Sequence, residues 1–306
     1  MRPPRSRQAA TAKPDPESDA GDMRIAKAIA RAGLCSRRDA ERWIEEGRVV
    51  VDGKTLTSPA LVVTGKETIV VDGKPLPQAD GVRLWRYHKP KGLVTTHKDP
   101  EGRETVFDKL PASMPRVISV GRLDYNSEGL LLLTNDGALA RHMELPSTAW
   151  IRRYRARAWG NVTLEQLEAL SKGVTVGGVH YAPMEARLDR EQGDNVWLTI
   201  GLREGKNREV RNVLASLGMT VNRLIRTSYG PFQLQDLKPG EVVEVDRRVL
   251  RDQMGPQHAE ALGLTGRAPE PADVRKPTAR MPSRQVTKPE PARRPKPPAR
   301  PKRSPR

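Results

Sequence analysis

Cysteine is nearly absent: Cys35 is the only one in 306 residues. An intrachain disulfide is therefore impossible, and no CxxC pair offers zinc or redox chemistry. This usage fits a reducing compartment, and a cytoplasmic location is expected. No apolar run approaches the roughly 18 residues of a membrane span. The opening MRPPRSRQAATAKPDPESDAGD lacks the apolar centre of a signal peptide, so no membrane partner is expected. Hydrophobic residues make up 36% and the mean hydropathy is -0.64. Both are low for a fully globular chain, so part of the length is expected to lie outside any core.

Several familiar motifs are missing too. The five histidines (88, 97, 142, 180 and 258) show no metal-ligand spacing. There is no GxSxG for a serine hydrolase. GLREGKN, around Gly201, has the glycines of a phosphate loop but the wrong spacing, and no Ser or Thr follows Lys206. Asp124-x-Asn126-x-Glu128-Gly129 opens like a calcium loop. Its twelfth position is Asn135 where Glu is required, and LLLLT lies between as a buried strand. No metal and no cofactor are expected.

What the chain has in excess is positive charge, +17 in all. Its placement matters more than its size. Residues 265–306 hold thirteen Lys/Arg against three Asp/Glu, alternating with Pro, whereas 1–22 are neutral. Both ends read as disordered tails, unable to bury enough apolar surface to offset their ordering entropy. The C-terminal one reads either as a basic arm on RNA phosphates or as a solvated, solubilising tail. The body between them is only modestly basic, so an RNA reading has to come from motifs.

The folded part opens at Met23. Ile25, Ala28, Ile29 and Ala32 fall at helical spacing and Gly33 stops the helix. Ser36 caps a second helix, SRRDAERWIEEG, with Asp39 three residues on as a variant capping box. RVVVDGKTL and TIVVDGKPL each read as strand, Asp-Gly turn and return strand. The second helix carries Arg37, Arg38 and Arg42, and Arg48 opens the next strand. Arg38 and Arg42 lie one turn apart, a pattern suited to a phosphate backbone or to an ordinary solvated helix. Residues 23–77, and in particular the SRR-x-A-x-x-x-I-x-x-G-x-V-x-V core from Ser36, resemble the S4-type RNA-binding domain. Asp52-Gly53 stands where many relatives have Asn-Gly.

A linker is expected over Pro75–Val82, and an α+β region over 82–250. RLWRYHKPKGLVTT is a strand broken by Pro90 and Gly92. RVISVGRLD is a strand leading to a turn, and GLLLLTNDG is an apolar strand. RRYRARAWG alternates basic and apolar residues, and NREVRNVLASLGM is an amphipathic helix with Val210, Val213, Leu214 and Leu217 on one face. NRLIRTSYGPFQL and GEVVEV are late strands. One carboxylate, Asp124, stands where a strand gives way to a turn, ahead of an apolar strand that would fix its position. It is either a turn former or a covalent nucleophile beside a guanidinium.

VGRLDYNSEGLLLLTNDGALA, with HKPKGLVTT before it and EGKNREVRNVLASLGMTVNRLIRTSYGP after it, resembles the RsuA/RluB family of pseudouridine synthases. The resemblance runs from Met23 to about Val245. It implies an S4 domain followed by a catalytic domain on a mixed, mainly antiparallel sheet with flanking helices. It also implies isomerisation of a uridine in ribosomal RNA by a cofactor-free enzyme; the sequence is silent on oligomeric state, and a monomer is the default expectation. By resemblance, Asp124 is the catalytic aspartate and Arg122 enters the RNA stack as the base flips out. Tyr154 stacks on the flipped base, and Arg211 pairs with the carboxylate. Two positions depart from the family: Glu209 stands where Gln is frequent, and Arg153 where Lys is. The run Asn222–Arg226 with Tyr229-Gly230 resembles the branch that acts on large-subunit (23S) rRNA more than the small-subunit branch; tRNA is a further alternative. The contrasting class is a non-catalytic RNA-binding or ribosome-assembly factor.

Overall fold

A computed structural model describes residues 22–265. The two expected tails, 1–22 and 265–306, fall outside the described residues apart from Asp22 and Thr265.

The N-terminal part is built as its sequence predicts. β1 (Met23–Arg24) runs into α1 (Ile25–Arg31), and Gly33 at φ +82° turns the chain. The Ser36 Oγ accepts the Asp39 amide N–H at 3.1 Å and starts α2 (Arg37–Glu45). Then come β2 (Val49–Val51), β3 (Lys54–Thr55), β4 (Val62–Val63), β5 (Ile69–Val71) and β6 (Lys74–Pro75). β1 pairs with β4, and the others form a sheet in the order β3-β2-β5-β6. Asp52 and Gly53 (φ +48° and +78°), and Asp72 and Gly73 (+50° and +74°), have the two left-handed residues that a type I′ hairpin requires. Ile25, Ile29, Ala40 and Ile44 pack on Val49 and Val71 as one core.

The larger part follows as β7 (Leu84–Lys89), β8 (Ile118–Val120), β9 (Glu128–Thr134), α3 (Gly137–Glu144), β10 (Arg152–Trp159) and α4 (Leu164–Ala169). After these come β11 (Val174–Val176), β12 (Val179–Tyr181), β13 (Glu185–Gln192), β14 (Asn195–Leu202) and α5 (Glu209–Ser216). The last are β15 (Thr220–Tyr229), β16 (Phe232–Gln233), β17 (Val242–Glu244) and α6 (Arg247–Ala261). A nine-stranded sheet runs β13-β14-β10-β15-β9-β7-β17, with β8 added to β9 and β16 to β15. Its ladders are antiparallel except β15–β9, which is parallel. This is the mixed, mainly antiparallel sheet expected.

The two halves of the sheet are covered differently. All seven residues of β9 are buried. Leu130 and Leu132 face α3 and α6, while Leu131 and Leu133 face Leu93, Val106 and Leu123. A strand covered on both faces has no reason to alternate, hence the LLLL run. β10 does alternate: Ala156 and Ala158 are buried under α4 and α5 while Arg155 and Trp159 are exposed.

Several expected boundaries move. Pro75 lies in β6 and Val82 in the core, so the connection is shorter than Pro75–Val82. The expected end at 250 falls inside α6, whose Leu250, Met254 and Ala259, with Leu262 and Leu264 beyond, belong to the core. Gly255-Pro256 hides this helix from sequence reading: Gly255, at φ +73°, kinks it, and proline suits the first turn after the kink. The β11–β12 hairpin and β13 also went unpredicted. Among the described residues no helix is long and apolar enough to cross a membrane.

Candidate active site

The turn between β8 and β9 carries Asp124 and is held from every side. Its Ser127 N–H donates to the Asp124 carbonyl at 3.0 Å. Thr95 Oγ donates to the Leu123 carbonyl at 2.8 Å, and the Gly121 N–H donates to a Glu144 carboxylate oxygen at 2.6 Å. From below comes Lys89 of β7, fully buried. Its ammonium donates to the carbonyls of Pro90 (3.1 Å), Asp124 (3.1 Å) and Ser127 (3.0 Å). An ammonium has three donors, and here each has an acceptor. Burial draws this group down to about 8, against the pull of Asp124 and Glu128.

In front of the turn lies a cleft of about 280 Å³, lined among others by Arg122, Asp124, Tyr154, Arg208, Glu209 and Arg226. Tyr154, on β10, packs against both cores that meet at the cleft. Arg122 is exposed and makes no hydrogen bond or ion pair among the described residues. Arg208 Nη1 stands 3.8 Å from Asp124 Oδ2. Arg208 caps α5 with a left-handed backbone (φ +51°, ψ +27°), uncommon for a residue other than glycine.

Arg211, the carboxylate's expected partner, is seated otherwise. Its Nη1 donates to the Val221 carbonyl at 2.9 Å and its Nη2 to the Asn126 carbonyl at 3.1 Å. Arg211 lies one turn into α5 and is drawn against β15 and the Asp124 turn. Arg208, at the helix start, faces the carboxylate. The Asp124 charge still acts on Arg211 through space. Behind the cleft, Arg226 Nε donates to the Leu130 carbonyl at 2.7 Å. Arg152 Nη2 donates to the Tyr229 hydroxyl at 2.8 Å, which donates to the Met143 carbonyl at 3.0 Å. Arg152 and Arg226 are two buried cations in the cleft lining, with Lys89 buried beneath the turn, a positive floor for a polyanionic substrate.

Glu209 is 3% exposed. Its Oε2 accepts the Lys206 N–H at 3.0 Å, and its own N–H donates to the Lys206 carbonyl at 3.2 Å, closing the turn that carries Arg208. Burial pushes its carboxyl from 4.5 up to about 7, and Glu204 adds to the rise. A neutral carboxyl resembles the amide of the Gln that the family resemblance leads one to expect there. A folded-state value above the unfolded one gives stability that is full below about 4.5 and lost as pH rises through about 7. Glu209→Gln is therefore expected to stabilise the protein at pH 8 by on the order of 3 kcal/mol. The gain should vanish near pH 4.5; thermal unfolding at the two pH values checks it, and equal gains at both would refute the burial account.

The four arginines of the small domain expected to meet RNA separate into two pairs. Arg48 is bound to both Asp72 oxygens (2.7 and 2.6 Å) and lies 4.6 Å over the Trp43 ring. Arg42 meets Asp39 at 3.2 Å and Glu46 at 3.6 Å. Arg37 and Arg38 are exposed, and their side chains make no hydrogen bond or ion pair among the described residues. Lys89 and Arg208 were missed by sequence reasoning. The only local hint of Lys89 is the Lys-Pro that ends an apolar strand, and nothing local marks a left-handed arginine.

The chain matches the family model for RNA pseudouridylate synthase over residues 83–216 and that for the S4 domain over 23–69. An uncharacterized RNA pseudouridine synthase of Rickettsia felis is 49% identical, over 74% of this chain and 99% of that protein. The ribosomal large subunit pseudouridine synthase B of Pseudomonas aeruginosa is 38% identical, over 89% of this chain and 72% of that protein. A crystal structure of a pseudouridylate synthase shares the fold, with a TM-score of 0.53 at 23% identity, covering 74% of this chain and 98% of that one. With an S4 domain in front and the Asp124 cleft behind it, this chain belongs to the RNA pseudouridine synthases.

Proposed function

We propose that this chain converts a uridine of large-subunit ribosomal RNA to pseudouridine, with Asp124 as its nucleophile. The observation that carries the reading is the clamped turn that presents Asp124 in the cleft, with Arg208 and Tyr154 around it. The choice of RNA follows the relatives named ribosomal large subunit pseudouridine synthase B, from Pseudomonas aeruginosa, Pasteurella multocida and Salmonella typhi. The chain acts as a cytoplasmic monomer.

A uridine inside a helix is out of reach, so the base is flipped out at a cost of a few kcal/mol. Arg122, exposed at the cleft mouth, fills the vacated stack, and Tyr154 replaces the lost stacking with its ring. Asp124 then attacks the ribose C1′ or the uracil C6, or assists a glycal route. On each route the C1′–N1 bond breaks and a C1′–C5 bond forms. N1 gains a proton and C5 loses one, so the product is an isomer. Arg208 steadies the carboxylate, while Lys89 and Arg211 hold the turn by its carbonyls. Arg37 and Arg38 meet the phosphate backbone. Arg42 and Arg48, tied to acids, serve the module's own structure first.

The protein should be incubated with unmodified 23S, 16S and tRNA transcripts, and pseudouridine mapped chemically. Modification of 23S is expected. Modification of 16S or tRNA alone would overturn the choice of RNA, and no modification of any transcript would overturn the activity.

A further inference from the structure

Among the described residues, the outer half of the sheet is covered on one side only. Ala156 and Ala158 of β10 pack under α4 and α5 with Leu198 and Leu224, on the side where the cleft opens. Strand alternation sends Arg153, Arg155, Arg157 and Trp159 to the other side. Contacts place the neighbouring strands' residues there as well. The Arg155 guanidinium lies 4.7 Å over the Trp197 ring of β14 and 3.7 Å from Asp189 of β13. Arg187 reaches the same Asp189 at 3.2 Å, and Arg153 meets Glu185 at 3.5 Å. In register, Trp197 stands opposite Arg157 on one side and Arg190 on the other, and Arg157 stands opposite Arg223 of β15.

This face therefore gathers six arginines from three strands. The acids among them are Glu185, Asp189 and Glu128, the last bound to Arg223 at 2.8 Å. A positive excess remains. Arg157 Nε is buried without a hydrogen-bond partner among the described residues, and Trp159 is 54% exposed. Exposed ion pairs add little stability, and they explain neither the surplus of guanidiniums nor an indole left in water. Forked donors match phosphate oxygens, and flat indole and guanidinium faces accept unstacked bases.

We propose that this open face of β13–β14–β10–β15, on the far side of the sheet from the cleft, is a second RNA-contact surface. It takes the phosphate backbone and unpaired bases of a segment flanking the target in the same large RNA. The inference rests on the reading of a large RNA substrate. It gives the enzyme a means of distinguishing a folded rRNA domain from a short hairpin that fills only the cleft.

The test compares wild type with the triple variant Arg155→Glu/Arg187→Glu/Arg190→Glu on two unmodified RNAs: a short stem-loop carrying the target uridine, and a fragment of several hundred nucleotides around it. The full chain is used, and a thermal melt checks folding. The variant should bind the long fragment at least about 10-fold more weakly, with a shallower salt dependence. Its turnover of the stem-loop should be unchanged. Trp159→Ala, a single exposed change, should weaken the long fragment alone by a smaller factor. Unchanged affinity for the long fragment would overturn the proposal, and so would an equal loss on both RNAs. A change in self-association with RNA affinity intact would assign the face to a second copy instead. Activity of the wild type on the stem-loop is read separately, so failure here leaves the synthase reading standing.

Discussion

Asp124→Asn is expected to reduce pseudouridine formation by at least about 10⁴-fold, as loss of a central catalytic group does in other enzymes. RNA affinity and melting temperature should stay close to wild type. The substitution keeps size and shape and removes only the charge that makes the carboxylate a nucleophile. The turn is held through backbone groups, the Asp124 carbonyl on Lys89 and on the Ser127 N–H, which the change does not touch. What the fold loses is an ion pair of 3.8 Å between two part-exposed side chains, a contact of little energetic weight. Product mapping, RNA titration and a thermal melt on one preparation separate the three quantities. A variant with full turnover would sink the assignment of Asp124. A wild type that binds RNA tightly but modifies none would return the protein to the class of assembly factors.

Gly129→Ala should have the largest effect on folding. Gly129 follows Glu128 at the start of β9, at φ +105°, where a side chain is strained. An added Cβ would come within 2.7 Å of the Arg226 backbone nitrogen and closer still to its carbonyl oxygen. Those atoms belong to β15, which pairs with β9 here through Ile225–Glu128 and Arg226–Gly129. Backbone cannot step aside as a flexible side chain can, so the parallel pair must open. Backbone strain and overpacking together suggest a loss of about 3–5 kcal/mol. Denaturant unfolding measures it, and the same opening should displace the Asp124 turn and lower turnover. A stable, fully active variant would show that the close approach is not needed.

Local devices were legible in the chain; those that depend on distant partners were not. The Ser36 cap, the two Asp-Gly hairpins, the buried LLLL strand and the α5 stripe each rest on neighbours within a few positions, and all four formed as read. Asp124 was legible as a carboxylate at a turn, and family resemblance supplied its proposed role. Lys89 was not, because a lysine becomes a buried clamp only when a turn 35 residues away closes over it. Arg211 and Arg208 are one helical turn apart, so which of them faces the carboxylate depends on the backbone angle at the α5 cap. The open arginine face was visible as the alternation of RRYRARAW. Its extent needed β13 and β15, far off in sequence, to line up beside β10.

The parallel pair also bears on how the protein comes to be active. Glu128 and Arg223, bound across that junction, are 95 residues apart. No short loop can bring them together, and the entropy of closing so long a segment must be met before the contact gives anything back. Most of the larger domain has to be synthesised before its two halves can join. The nucleophile's turn, Lys89 and β9 lie on one side of the junction, and Tyr154, Arg208 and Arg211 on the other. A partly made chain would hold an intact N-terminal RNA-binding module, complete within the first quarter of the sequence, long before it held a working cleft. In refolding, recovery of RNA affinity should run ahead of recovery of turnover.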